Sequence, residues 1–346
     1  PMPAVRDWID PVGVPVSILT RRSRGRWKDI VFAFKVGSAI WQRRHTYDVV
    51  YFLMSGLHLA VGLPIARLAG KPILMKVSGS GVITLMRKSL IGRIELKWLR
   101  QWTAAVMVLN QDMVEEAVAA GFSRDQLVWM PNPVNIDEFR PPTGDERVAW
   151  RARYSIPIHA KVIVYVGRLS PEKGLVGLLR GFTQAARILP DGLLVMLGDG
   201  PQRVELETLA RELQLGASQI RFMGRVEMVD VPSWLRASDV FALTSPSEGF
   251  SCALVEAMAS GLASVVSAIP ANLQLIDEPI HGLTVRFDNE TAIGEAFIQL
   301  FRDPERRHKM GLAARQRAID NFSTIRVVER YEKLFDIAVG SAKKDT

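Results

Sequence analysis

Glu248 and Glu256 stand eight positions apart in "EGFSCALVEAMASG", with a Gly-Phe-Ser turn after the first and small residues around the second. Gly249 can take backbone angles that other residues resist. Ser251 is a good helix N-cap. Leu254, Val255, Met258 and Leu262 then recur at helical spacing, and Gly261 is placed to close the helix. Glu248 is therefore expected in a loop at the helix start, and Glu256 in the second turn. Helical side chains lean toward the N-terminus, so Glu256 reaches back toward the end that Glu248 borders. That end also carries free backbone N–H groups and the positive pole of the helix dipole, a ready anion site. A ligand with both a phosphate and hydroxyls would use all of these groups. The plain alternative is a helix with a charged first turn and one solvated glutamate.

Other loops hold groups that suit the same ligand. "GRLSPEKG" (167–174) carries Arg168 and Lys173 across a Ser-Pro turn. Two cations beside a helix N-terminus clamp a diphosphate; the commoner fate of such a pair is to be surface cations. "GDGP" (198–201), "GRVEM" (224–228) and "SPSEGFS" (245–251) also follow apolar runs. In open α/β sheets ligands gather outside the carboxyl ends of the strands, which places these four loops together. "GDGP" lacks the continuation of a dinucleotide fingerprint and its ribose-reading acid, so a nicotinamide dehydrogenase is set aside.

The elements that must position these loops follow a β-then-α rhythm. Strands are expected at 14–20, 48–53, 71–77, 104–110 and 126–131, with helices such as 57–69 and 111–120 between them. "NPVNIDEFRPPTGDE" (132–146) reads as an interdomain linker. Strands restart at 161–169, 192–200, 220–226, 239–245 and 263–269, and an amphipathic helix over about 324–339 ends the pattern. The expected fold class is α/β, with two parallel-sheet domains. The division is 1–145, 146–325 and a C-terminal helix, 326–346, that crosses back to the first domain. The linker near 140–148 and that crossing form the expected hinge.

Composition narrows the partners. Hydrophobic residues make up 48% and charged residues 23% of 346 residues, a globular profile. No apolar run reaches the ~20 residues of a membrane span, and no signal peptide is visible. The lone cysteine, Cys252, fits a reducing, cytoplasmic setting. Residues 1–150 hold 20 Lys and Arg against 13 Asp and Glu, +7, and the remainder 24 against 23, +1. A basic first half calls for an anionic partner. Nucleic acid ranks last, because no zinc-finger or RNA-recognition signature accompanies the charge.

Taken together, "GRLSPEKG", the Glu-x7-Glu stretch "EGFSCALVE" running into "AMASG", "MPNPVNIDEFRP", "GLTVRF" and "NFS" resemble the retaining glycosyltransferases of family 4, over nearly the whole chain. The resemblance implies the GT-B fold, two Rossmann-like domains facing a cleft. It implies a sugar moved from a UDP- or GDP-linked hexose-type donor to a glycan or lipid-linked acceptor, with no cofactor and no metal. Arg168, Lys173 and Glu248 would be catalytic, the cations on the diphosphate and Glu248 on the transferred sugar. Glu256 would bind the ribose. Gly167, Gly224, Arg225, Val226, Gly249, Phe250, Ser251 and Cys252 would line the donor.

This sequence departs from the family in two places. The first strand, its Gly-rich loop and the first helix have no evident counterpart; that raises a non-catalytic, nucleotide-sugar-binding relic as an alternative. Where many members have a histidine facing the sugar, the sequence reads "VSGSG", which puts Ser78 and Gly79 on the acceptor side. Residues 81–102, "GVITLMRKSLIGRIELKWLRQW", combine Arg87, Lys88, Arg93, Lys97 and Arg100 with Leu, Ile and Trp around one acid, Glu95. Such a helix suits an anionic membrane surface, and would place the chain peripherally at the inner face. The other reading has its apolar face cover the sheet. A core helix would bury Trp98 and Trp102, and a membrane helix would expose at least one.

Overall fold

The computed structural model describes residues 26–53, 56–77 and 79–344. The strand expected at 14–20 and Ser78, expected on the acceptor side, lie outside them. In the first domain, strands β1 (Val50–Phe52), β2 (Ile73–Lys76), β3 (Thr103–Val108) and β4 (Leu127–Trp129) pair in that order, all parallel. Parallel neighbours need crossovers, and α2 (Leu57–Leu68), α3 (Val82–Arg87), α4 (Leu90–Trp102) and α5 (Gln111–Ala119) supply them, while α1 (Arg26–Gln42) precedes β1. Leu59 and Leu63 of α2, Met86 of α3, Leu96 and Leu99 of α4 and Met113 of α5 bury one face of the sheet.

The single helix expected over 81–102 is two. α3 ends at Arg87, and Ser89 caps α4 by accepting from Gly92 N at 2.9 Å. A Cβ at Gly92 would sit 2.2 Å from the Met86 carbonyl oxygen, so the glycine lets the end of α3 lie on α4. Hydrophobic periodicity runs through this break, which is why it does not show in the pattern. Trp98 and Trp102 stack on each other at 5.2 Å and are half-buried against the core. The tryptophans therefore belong to the core side. What faces outward is Leu85, Leu90, Ile91 and Ile94, from 41% to 68% exposed.

The second domain is a six-stranded parallel sheet of β5 (Lys161–Val166), β6 (Gly192–Leu197), β7 (Ile220–Gly224), β8 (Val240–Leu243), β9 (Ala263–Ser267) and β10 (Gly282–Val285). Their order is β10-β9-β8-β5-β6-β7. The order reverses between β5 and β8, so a crevice opens where the loops after those two strands diverge. Its helices are α6 (Glu146–Arg153), α7 (Leu175–Ala186), α8 (Arg203–Glu212), α9 (Val231–Ala237), α10 (Cys252–Ala259), α11 (Pro270–Leu273), α12 (Glu290–Arg302) and α13 (Pro304–Phe322). The last helix, α14 (Thr324–Lys344), returns to the first domain. Its Val327, Leu334 and Ala338 cover Leu74 and Met107 on the sheet's other face.

The two chain crossings meet. Val134 N donates to Phe322 O at 2.8 Å, and Thr324 N donates to Val134 O at 3.1 Å. Downstream of this point the linker packs on the second domain. Arg315 Nη1 donates to Phe139 O at 3.1 Å, and Arg147 and Arg151 of α6 both pair with Asp239. Residues 140–148, expected in the hinge, are thus fastened to the second domain, and the chain crosses between the domains at 134 and 323.

Candidate functional site

The loops after β5 and β6 and the end of β7 interlock through main-chain bonds. Gly167 N donates to Leu197 O at 3.0 Å, Leu169 N to Asp199 O at 3.0 Å, and Gly198 N to Gly224 O at 2.8 Å. A Cβ at Gly198 would lie 1.8 Å from the Gly167 oxygen, so "GDG" is glycine because another backbone occupies the space of a side chain. Gly167 is likewise overhung by the Tyr165 hydroxyl, and Gly224, at φ +69°, by Arg203. Arg225 is exposed beside Gly224, and Val226 packs half-buried on the core.

Lys173 and Glu248, 75 residues apart, meet in this crevice. Lys173 Nζ donates to both oxygens of Glu248, at 2.8 and 3.0 Å, and Ser245 Oγ donates to Oε1 at 2.6 Å. The Glu248 side chain is only 9% exposed, more enclosed than a loop position suggests. Arg168 is exposed and makes no ion pair among the described residues, while its carbonyl accepts from Tyr165 OH at 2.9 Å. Burial first, then the charges of Glu248 and Glu172, push the Tyr165 phenol well up, so it stays a neutral donor beneath the loop.

Ser251 caps α10 by accepting from Leu254 N at 3.2 Å. Gly261, at φ +75°, follows the last turn. The small residues of "AMASG" have a packing reason: a Cβ at Gly311 of α13 would lie 2.1 Å from the Gly261 oxygen. Phe250 packs against the cores of both domains. Gly249 faces the first domain, where the position of its Cβ would be 3.4 Å from the Gly79 Cα. Cys252 is exposed as a residue, but its thiol points inward, where Asn132 Nδ2 approaches it at 3.6 Å and burial pushes its pKa up. Glu256 is half-buried one turn further along.

Burial, with Glu138 nearby, raises the Glu256 carboxyl to about 7. A folded value above the ordinary 4.5 means the unfolded chain loses this proton first, so this group's contribution to stability falls between about 4.5 and about 7. The family resemblance puts ribose hydroxyls on Glu256, and a carboxylate accepting from them favours the deprotonated form. Nucleoside diphosphate should therefore bind more tightly as pH rises through 7, by up to about tenfold per unit on the acid side. Glu256→Gln should remove that portion of the pH dependence and leave the part due to the ligand's own phosphate. Titration calorimetry from pH 5.5 to 8.5 reads it, and identical slopes for the two proteins would remove Glu256 from the binding site.

Three neighbours were not signalled as functional by spacing. Ser245 and Tyr165 hold the Glu248 and Arg168 loops. Lys76 ends β2, 8% exposed, and donates to Asn132 Oδ1 at 2.9 Å and Tyr331 OH at 3.0 Å. Its place at a strand's carboxyl end was legible; its burial beneath α14 was not.

Residues 146–317, the domain that carries Lys173, Glu248 and Glu256, match the family of glycosyl transferases group 1. The chain belongs to the group 1 glycosyltransferase family. The GDP-mannose-dependent monoacylated alpha-(1-6)-phosphatidylinositol monomannoside mannosyltransferase of Corynebacterium glutamicum is 29% identical to this family member over 193 residues, 54% of this chain and 50% of that one. The UDP-Gal:alpha-D-GlcNAc-diphosphoundecaprenol alpha-1,3-galactosyltransferase of Escherichia coli is 26% identical over 309 residues, 85% of this chain and 76% of that one. The chain thus spans half the length of the first of these relatives. Anabaena HepE, crystallised with UDP, matches with a TM-score of 0.79 at 18% identity, over 95% of this chain and 88% of that one. At that identity the likeness shows the GT-B fold alone.

Proposed function

We propose that the chain moves a hexose-type sugar from a UDP- or GDP-sugar to a glycan or lipid-linked acceptor, with retention of configuration and without a metal. The observation that carries this reading is the Lys173–Glu248 pair set beside the N-terminus of α10. The sugar–diphosphate bond breaks as negative charge grows on the leaving oxygen. Lys173, Arg168 and the α10 N–H groups stabilise that charge from fixed positions. Glu248 holds the sugar as positive charge develops at its anomeric carbon. The acceptor hydroxyl attacks from the leaving-group side and gives its proton to the departing phosphate oxygen, so no covalent glutamate is needed. The two relatives with UDP-galactose and GDP-mannose in their names support this donor class. The test is transfer from radiolabelled UDP- and GDP-sugars to lipid extracts and oligosaccharides. Binding without transfer would sink the enzyme reading and leave a nucleotide-sugar-binding protein.

The acceptor side suits an anionic lipid surface. No helix among the described residues is long and apolar enough to cross a membrane. On α3 and α4, however, Leu85, Leu90, Ile91 and Ile94 are exposed among exposed Arg87, Lys88, Arg93, Lys97 and Arg100. The one acid, Glu95, points inward at 4% exposure, and burial raises it to about 7. The outward charge of this face is therefore wholly positive. Each cation near an anionic leaflet contributes ~1 kcal/mol. Flotation with vesicles of anionic phospholipid should recover the protein, less so at high salt. Arg87→Glu with Lys88→Glu, and separately Leu90→Glu with Ile91→Glu, should each lower recovery. Equal recovery with neutral and anionic vesicles would leave α3 and α4 as ordinary core helices.

A further inference from the structure

Asn110 follows β3 and caps α5, its Oδ1 accepting from Met113 N at 2.9 Å. Its other end does something a cap does not require. Nδ2 crosses to the second domain and donates to the main-chain carbonyls of Gly249, at 2.7 Å, and Glu248, at 3.1 Å, with Ser80 Oγ at 3.4 Å. The side chain is 1% exposed. Both ends of the amide are thus used according to type, acceptor toward an N–H and donor toward two carbonyls.

We propose that Asn110 is a positioning residue, an interdomain latch that holds the Glu248–Gly249 loop against the first domain. The inference rests on the reading of Glu248 as the sugar-contacting carboxylate. Glycine at 249 permits the approach: Gly79 Cα and Met113 Cε each come within 3.4 Å of where its Cβ would be. Phe250, the next residue in the loop, packs on both cores. When the domains part, the amide and both carbonyls pass to water, so the bonds oppose opening only modestly. Their value is directional. They fix the backbone of Glu248 in the same movement that closes the cleft, so the carboxylate meets the sugar only in the closed form.

Asn110→Asp separates the latch from the cap. Aspartate keeps the oxygen that caps α5, and its charge suits a helix N-terminus. It replaces the donor with an acceptor facing two carbonyl oxygens. Asn110→Ser is the second variant, since it caps but is too short to cross. For the full chain, both should melt as the wild type does and bind UDP or GDP within about threefold of it. Turnover should fall roughly tenfold to thirtyfold, as expected for two lost hydrogen bonds. The compaction on UDP or GDP binding that small-angle scattering reads in the wild type should be reduced. Wild-type compaction with wild-type turnover in both variants would overturn the latch. If the wild type compacts but transfers no sugar, the functional reading fails and scattering still decides the latch.

Discussion

Alanine at Glu248 or at Lys173 should lower turnover by about 10²–10³ while the protein still folds. The two side chains belong to one constellation, in which the Glu248 carboxylate accepts from Lys173 twice and from Ser245 once. Removing Glu248 does not strand a buried cation, because the Lys173 side chain is 23% exposed and can turn to water. Removing Lys173 leaves Glu248 with Ser245. Neither change opens a core cavity; Lys173→Ala should cost more stability than Glu248→Ala, because it leaves an enclosed carboxylate without its counter-ion. The two variants should differ in binding. Lys173→Ala should weaken nucleoside diphosphate, because it loses a phosphate partner in both ground and transition states. Glu248→Ala should leave that affinity nearly unchanged, because its partner is the sugar. The double variant should lose little beyond either single one, since groups that act as a unit are not additive. Glu248→Gln tests charge against shape, because the amide oxygen still accepts from Ser245. Turnover within about threefold of wild type in either alanine variant would take the chemistry away from this pair.

The helix that carries Glu256 was legible in sequence because its cap, its apolar stripe and its closing glycine lie within one short stretch. So were the strands buried on both faces, such as "KVIVYV" and "GLLVML", whose apolar runs have no other use. β10 was not: four residues, "GLTV", with a threonine, carry too little signal to separate a strand from a loop. α13 is capped by Asp303 with proline at its start, yet most of its residues are polar. The break before Ser89 was hidden by a hydrophobic pattern that continues through it. In the site, residue types and loop membership could be read, but not partners. That Glu248 pairs with Lys173 follows from the strand order, which brings β5 and β8 side by side. That Asn110 grips the Glu248 loop follows from how two domains meet, and nothing local to "VLNQDM" encodes it.

The strand order also makes Gly174 a position where a single methyl group should damage the Lys173–Glu248 pair. Gly174 sits at φ +65° between Lys173 and α7. A Cβ there would lie 2.2 Å from the Thr244 carbonyl oxygen. That oxygen cannot swing away alone, because Thr244 is fully buried and its hydroxyl donates back to Gly174 O at 3.2 Å. An alanine must therefore push the two loops apart. The neighbours of the colliding residues are Lys173 on one loop and Ser245 on the other, the two groups that hold the Glu248 carboxylate. Gly174→Ala should thus dismantle the pair without removing any of its members. Turnover should fall by about 10² or more, comparable to losing Lys173 itself. The left-handed backbone adds about 1–2 kcal/mol of strain, which a lowered melting temperature would register. Gly144→Ala separates strain from collision: φ there is +47°, and nothing lies within 4 Å of a Cβ. It should carry a similar backbone penalty and keep wild-type turnover. If Gly174→Ala behaved as Gly144→Ala does, the loops would have room to accommodate a side chain, and the close approach of β5 and β8 would not be what sets the distance between Lys173 and Glu248.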